Sequence, residues 1–223
     1  MYDAMKFSKT EMMDTPQEKF WKDEIGEVYI ATNTFTPEEH DALYLDMYGI
    51  EYTKLAEVFL MGVPKDTSIL EVGCNVGNIL LVLKSLGFTN LSGIELNPKA
   101  VEIARQRLPD AAISVGNALQ IEKADNSYDL VFTSGVLIHI APENVEQAIK
   151  EIHRVSKKFI WGLEYYAEEL TTIHYHGNTD RLWKRDFVSL FTSLFPSLKV
   201  LKKAIFPYRT EKIEDCMFLF EKR

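Results

Sequence analysis

The chain has 223 residues, 46% of them apolar and 26% charged, with a net charge of −8, which suits a soluble globular protein able to bury a sizeable core. The acidic balance argues against duplex nucleic acid or an anionic membrane as main partner, because both are held by clustered cations. Cys74 and Cys216 supply neither a disulfide framework nor a metal knuckle, and the longest apolar run, "NILLVLKSLGF", is too short to cross a bilayer.

Residues 1–15 are polar and are expected to fray, with no apolar core of signal-peptide length. "TPQEKFWKDEIG" reads as a short helix capped by Thr15 with Pro16 in its first turn. In the aromatic-rich stretch that follows, Phe20, Trp21 and Tyr29 are expected either to cover a site as a flap or to pack a helix on the sheet edge. "TPEEHDALYLDMYG" repeats the capping device, with Thr36, Pro37 and Glu39 at its start and Gly49 at its end. "EYTKLAEVFLMG" is a third helical pattern, stopped by Gly62 and Pro64.

From Ser68 the rhythm changes. Short β-branched runs, "SILEV", "NLSGIEL", "AAISVG", "YDLVFTSG" and "KKFIWGLEY", alternate with helical patterns such as "GNILLVLKSLG", "NPKAVEIARQRL" and "PENVEQAIKEIHRV". Strands separated by helices mean βαβ units and a parallel sheet. After a last helix, "RDFVSLFTSLF", the runs "SLKVLKKAIF" and "DCMFLFEKR" follow with no helix between them, so they should pair antiparallel. The expected fold is α/β: a Rossmann-like, doubly wound, mostly parallel seven-stranded sheet with a C-terminal antiparallel hairpin and an N-terminal helical cap.

In such sheets ligands sit beyond the carboxyl ends of the strands, at the switch point. The turn there is "EVGCNVG". It fails the dinucleotide fingerprint, since Asn75 and Asn78 stand where glycines are needed, and no G-K-[ST] makes it a phosphate loop. Glu71, Gly73, Asn75 and Gly77 instead resemble the first motif of class I S-adenosylmethionine-dependent methyltransferases, acid-x-Gly-x-Gly-x-Gly, with Asn75 in the middle position. Asn tolerates left-handed backbone, so the turn survives. That resemblance implies S-adenosylmethionine as cofactor and S-adenosylhomocysteine as product. Glu71 would serve the ammonium, Glu95 the ribose hydroxyls, and Asn117 the adenine amino group through its carbonyl. Cys74, Leu96, Ala118, Leu119, Ser134 and Gly135 would complete the cofactor cleft.

His139, in "TSGVLIHIAPEN", is the candidate general base; the alternative is a packed structural histidine. The segment "GLEYYAEELTTIHYHGNTDRLWKRDF" is dense in polar aromatics and starts at the cofactor edge of the sheet, so it reads as a substrate lid. Its candidate substrate contacts are Glu164, Tyr165, Tyr166, His176 and Arg181, the last either clamping an anionic group or pairing with Asp180 or Asp186. His174 and His176 with Glu164 and His139 lack a helix-spaced pair, so no metal is expected.

The chain further resembles the pseudaminic-acid-biosynthesis-associated methylases. "FWKDEIGEVYI", "LEVGCNVGN", "GIELNPKAVEIA", "SGVLIHIAPEN", "EYY", "DRLWKRDF" and "LFEKR" carry that likeness from about Phe20 to Arg223, with departures at Thr32 and before "GNTD". The expected organisation is a cap and flap over 1–62 and a methyltransferase catalytic domain over 63–223, with the lid around 164–183. The expected protein is a cytoplasmic monomer or homodimer, its two cysteines fitting a reducing compartment, that moves a methyl group to O or N of a small polar metabolite; the resemblance implies a sugar or sugar-linked compound. An RNA or protein methyltransferase, a non-catalytic nucleoside-binding module on the same fold, and a nicotinamide-dependent oxidoreductase remain as alternatives.

Overall fold

The computed structural model describes residues 14–223; the expectation for the chain start falls almost wholly outside them. Helices α1 (Pro16–Lys22), α2 (Glu24–Thr32), α3 (Pro37–Tyr48) and α4 (Tyr52–Phe59) come first. The capping boxes of Thr15 with Glu18 and of Thr36 with Glu39 both form, and Gly49 ends α3 in the left-handed conformation. The pattern "TPQEKFWKDEIG" does not run on as one helix to Gly26. Instead the chain breaks at Asp23 and continues as α2 through that glycine. The reason is steric: a Cβ on Gly26 would lie 2.1 Å from the carbonyl oxygen of Trp21, so the glycine permits close approach rather than ending a helix.

The alternating part follows as β1 (Ile69–Val72), α5 (Asn78–Ser85), β2 (Leu91–Glu95), α6 (Pro98–Arg107), β3 (Ala112–Val115), β4 (Tyr128–Ser134), α7 (Val145–Val155) and β5 (Ser156–Tyr165). A single 3-10 turn, Leu137–His139, leads from β4 towards α7. Then come β6 (Thr171–Thr172), β7 (Trp183–Lys184), α8 (Phe187–Leu194), β8 (Lys199–Pro207) and β9 (Glu214–Glu221). The main sheet has seven strands in the order β3-β2-β1-β4-β5-β9-β8. The first five are parallel, and β9 enters antiparallel between β5 and β8. The α/β sheet with its closing hairpin is therefore as the sequence indicated. The small β6–β7 ribbon within the 164–183 segment was not foreseen, because two-residue strands leave no periodicity to read.

The sheet is buried on both faces. Ile69, Leu130 and Phe132 pack with residues of α3–α6, whereas Leu70, Val131 and Ile160 pack with residues of α7 and α8. Neighbouring residues along a strand point to opposite faces, so near-continuous apolar runs are what a two-sided core requires. The switch point falls where β1 lies between β2 and β4, and the carboxyl ends of these strands open into one crevice.

Candidate functional site

The crevice encloses about 460 Å3, within the range of small-molecule sites. Its floor is the turn after β1. Gly73 and Cys74 both donate their amides to the carbonyl of Ile94, and Gly77 donates to that of Cys74. Three residues hold left-handed backbone there: Gly73 (φ 77°), Asn75 (φ 45°) and Gly77 (φ 80°). Asn75 thus adopts the conformation that a middle glycine would take. At Gly73 there is no room for a side chain, since a Cβ would meet Val136 at 2.5 Å.

Two carboxylates stand over this turn. Glu71 is 3% exposed and its Oε2 has no partner. Burial holds its carboxyl well above the usual range, with the charge of Glu95 adding to the effect. Glu95 accepts from the amide of Asn97 at 2.8 Å and from that of Asn75 at 3.0 Å. It therefore pins the glycine turn to the start of α6, and the carboxylate keeps acceptor capacity for a further donor. Leu96, Ala118, Leu119, Ser134 and Gly135 line the same crevice, and a Cβ at Gly135 would meet nothing within 4 Å. Gly77 does not line it. As the residue before α5 it lies against Leu108, 2.6 Å from a built Cβ, and its part is helix packing.

Asn117 lines the crevice, but its amide is engaged at both ends. Its Oδ1 accepts from the amide of Leu119 at 2.8 Å and its Nδ2 donates to Glu18. It therefore ties the 117–119 backbone to α1 rather than presenting an uncommitted carbonyl. Other amides join the N-terminal helices to the sheet. Asn97 Nδ2 reaches the carbonyl of Trp21 at 3.0 Å, and Asn78 Nδ2 that of Asn33 at 2.7 Å. Arg107 donates to the carbonyls of Val76 and Phe35 and to Asn78 Oδ1. Trp21 and Tyr29 consequently face the crevice from a helical frame, so flap and packed helix are one object, while Phe20 turns outward under Arg181.

His139 lines the crevice with its ring 4.6 Å from that of Trp21 and 5.3 Å from that of Tyr175. Its Nδ1 lies 2.8 Å from the carbonyl oxygen of Arg181. A carbonyl only accepts, so Nδ1 carries the proton and Nε2 keeps its lone pair. Burial pushes the imidazole down to about 4, so it is neutral at physiological pH.

The substrate candidates divide. Tyr165 lines the crevice. Glu164 lines it too, but its carboxylate turns to the backbone, accepting from Val136 N at 3.2 Å and Ile138 N at 3.4 Å. Burial raises that carboxyl to about 7 against these hydrogen bonds. Its evident work is to hold the turn that carries His139. Three expectations are corrected. Tyr166 lies outside the crevice, under the ammonium of Lys203. His176 is exposed at the tip of the β6–β7 ribbon, in left-handed backbone (φ 46°). Arg181 presents its backbone carbonyl inward, while its guanidinium pairs with Asp180 at 2.6 Å and lies over Phe20. Tyr175, from the turn between β6 and β7, lines the crevice in their place.

Residues not singled out in the sequence complete the far end: His40, Tyr44, Tyr208 and Asp215 line it, and the Tyr48 phenol donates to Asp215 Oδ2. The available signal was tyrosine at four-residue spacing, 44 and 48, in one helical pattern, together with an acid opening the apolar run "DCMFLF". Among the described residues no lysine or arginine lines the crevice, whereas Glu18, Glu71, Glu95, Glu164 and Asp215 do. Among the described residues no three ligating side chains gather as a metal site, and no helix is long and apolar enough to cross a membrane.

Residues 70–159 match a family model described as "Methyltransferase domain". A curated relative, 2-methyl-6-phytyl-1,4-hydroquinone methyltransferase of Synechocystis sp., is 32% identical over 100 residues, which are 42% of this chain and 30% of the relative. Human EEF1A lysine methyltransferase 2 is 26% identical over 43% of this chain and 45% of its own length. The chain thus spans less than half the length of these relatives. Among solved structures, magnesium protoporphyrin IX methyltransferase from Synechocystis PCC 6803, with bound SAH, superposes with a TM-score of 0.67 at 12% identity, covering 92% of this chain and 98% of that one. Residues 70–159 thus resemble a methyltransferase domain, and the chain shares the Rossmann-like fold of that solved structure.

Proposed function

We propose that the protein is a class I S-adenosylmethionine-dependent methyltransferase acting on oxygen or nitrogen of a small polar metabolite, with a sugar or sugar-linked compound as the finer assignment. The observation that carries it is the crevice at the β1–β2–β4 carboxyl edge. There a buried carboxylate oxygen of Glu71 lacks a partner, Glu95 has lone pairs to spare, and the lining holds carboxylates without cations. Such a lining suits a ligand bearing an ammonium and a sulfonium.

The chemistry this cofactor supplies when bound is an activated methyl group. The chain's residues supply position and proton handling. Glu71 would hold the ammonium, Glu95 the ribose diol, and the glycine turn would let the backbone approach closely. His139 Nε2 would accept the proton of an acceptor hydroxyl; for an amine acceptor, orientation suffices. Trp21 and Tyr29 from the N-terminal cap, with Tyr175 from the lid, would exclude water. A crevice of about 460 Å3 favours a small molecule over nucleic acid; the protein would act as a monomer or homodimer, and the two buried, free cysteines suit a cytoplasmic setting.

Calorimetry with S-adenosylhomocysteine tests the cofactor site. Glu95→Ala removes the ribose acceptor and unpairs two amides, so affinity should fall roughly 100-fold. Binding as tight as that of the parent would refute the assignment. Extract incubated with deuteriomethyl-labelled cofactor should then yield one metabolite carrying the label, identified by mass spectrometry.

A further inference from the structure

At the end of the crevice formed by the last hairpin, Asp215 is 5% exposed. It stands at the start of β9, directly opposite Tyr165 of β5 and Phe206 of β8. Tyr48 donates to its Oδ2, and its Oδ1 is buried without any partner. The phenol rings form a wall around it: Tyr48 and Tyr208 lie 5.0 Å apart edge to face, and Tyr165 and Tyr208 lie 6.2 Å apart in the same manner. Tyr44 continues the wall, 5.2 Å from Tyr48. Arg209 follows Tyr208 but is exposed and stays out of the lining.

A buried carboxylate with an oxygen to spare is costly unless something pairs with it. Among the described residues no lysine or arginine lines this end. A ligand cation would supply the missing hydrogen bond and charge together, and electron-rich ring faces add to its attraction. We propose that Asp215, walled by Tyr48, Tyr165 and Tyr208, anchors an ammonium group of the methyl acceptor. The inference rests on the methyltransferase reading and deepens it, since it selects amine-bearing acceptors and disfavours carboxylates and phosphates. It concerns the anchor and is independent of which acceptor atom takes the methyl group. Burial raises the Asp215 carboxyl to about 6, against the pull of the Tyr48 and Tyr208 phenols, and a bound ammonium would hold it ionised.

The test uses the full chain saturated with S-adenosylhomocysteine and three small amines, glucosamine, putrescine and ethanolamine. Each is compared with its fully N-acetylated form (for putrescine, acetylated on both nitrogens), which keeps the skeleton and removes the charge, and glucuronate serves as the anion. Ligand-observed NMR titration should show at least one amine binding about tenfold or more tighter than its N-acetyl form, and glucuronate weaker than either. Asp215→Asn should erase that preference while still binding S-adenosylhomocysteine, which shows it folded. Tyr208→Phe, which keeps the carboxylate, should weaken the amine a few-fold and retain the preference. The proposal is overturned if no amine exceeds its N-acetyl form, if glucuronate binds as well as the amines, if the preference survives Asp215→Asn, or if Tyr208→Phe alone abolishes it. Failure of the parent to bind S-adenosylhomocysteine would instead refute the methyltransferase reading, so the two failures are told apart.

Discussion

The two ends of the crevice are built on different principles. The end at β1 and β2 is backbone: a turn of left-handed residues, amides pinned by Glu95, and close packing of Gly73 against Val136. The end at β9 is side chain: phenols from α3, from the end of β5 and from the β8–β9 loop converge on one carboxylate. A backbone site draws on a few consecutive residues and leaves little room for variation. A side-chain site draws on segments more than 160 residues apart, as Tyr48 and Asp215 are, and it can be rewritten without disturbing the sheet. On the proposed function, a fixed cofactor would take the first construction and a variable acceptor the second.

Breaking the backbone end should have the largest effect. Gly73→Val forces a β-branched residue into φ 77° and into contact with Val136. Strain and overpacking together should destabilise the fold by about 3 kcal/mol or more and abolish measurable S-adenosylhomocysteine binding. Thermal melts and calorimetry would register both. A variant that bound within tenfold of the parent would mean that the turn does not form the cofactor floor.

The side-chain end should respond in the opposite direction. The folded state raises Asp215 from its ordinary value to about 6, so between about pH 4 and pH 6 it holds more protons than the unfolded chain. Stability from this group therefore falls as pH rises through that window, and the deficit is complete above it, on the order of 3 kcal/mol. Asp215→Asn has no such deficit. Denaturant melts should find it more stable than the parent near pH 8 by about 1–3 kcal/mol, with the gap closing towards pH 4. A variant less stable than the parent at both pH values would assign Asp215 to structure and not to ligand.

That contrast also explains what the sequence disclosed. The seven strands, their order of alternation, the capped helices and the Glu71–Gly77 turn are local patterns with fixed spacing, and the helices and strands that they indicated are present. Glu95 was legible because it ends a strand, and Asn75 because its backbone preference suited the turn. The β6–β7 ribbon and the outward turn of Arg181 and His176 were not legible, since two-residue strands carry no period and side-chain direction there depends on register. The phenol wall was hidden for a different reason. Nothing in one-dimensional spacing brings Tyr48 to Asp215 until the sheet order places β9 beside β5.

Between the two ends stands Glu164, whose carboxylate fastens the Val136–Ile138 backbone below His139. Glu164→Ala unpairs two amides, which should lower stability by about 1–3 kcal/mol. It also loosens the turn that orients the imidazole. Turnover with the identified acceptor should fall roughly tenfold, while S-adenosylhomocysteine affinity stays within about threefold. If cofactor affinity fell as far as turnover, the turn would belong to the cofactor end and the division drawn here would move.

The smallest effect belongs to Arg181. Its type and place in the chain suit an anion clamp, but its guanidinium pairs with Asp180, whose side chain is 59% exposed, and covers the outward ring of Phe20. A pair open to water on one side contributes about 0–1 kcal/mol, and the ring contact about as much again. The atom of Arg181 that matters to the crevice is its carbonyl oxygen, which fixes the His139 tautomer and survives any side-chain change. Arg181→Met should therefore leave kcat and KM for the acceptor within about twofold and lower stability by no more than about 1–2 kcal/mol. A KM raised tenfold with kcat intact would instead mean that the guanidinium swings inward to meet an anionic acceptor, which would set the lid against the carboxylate lining of the far end.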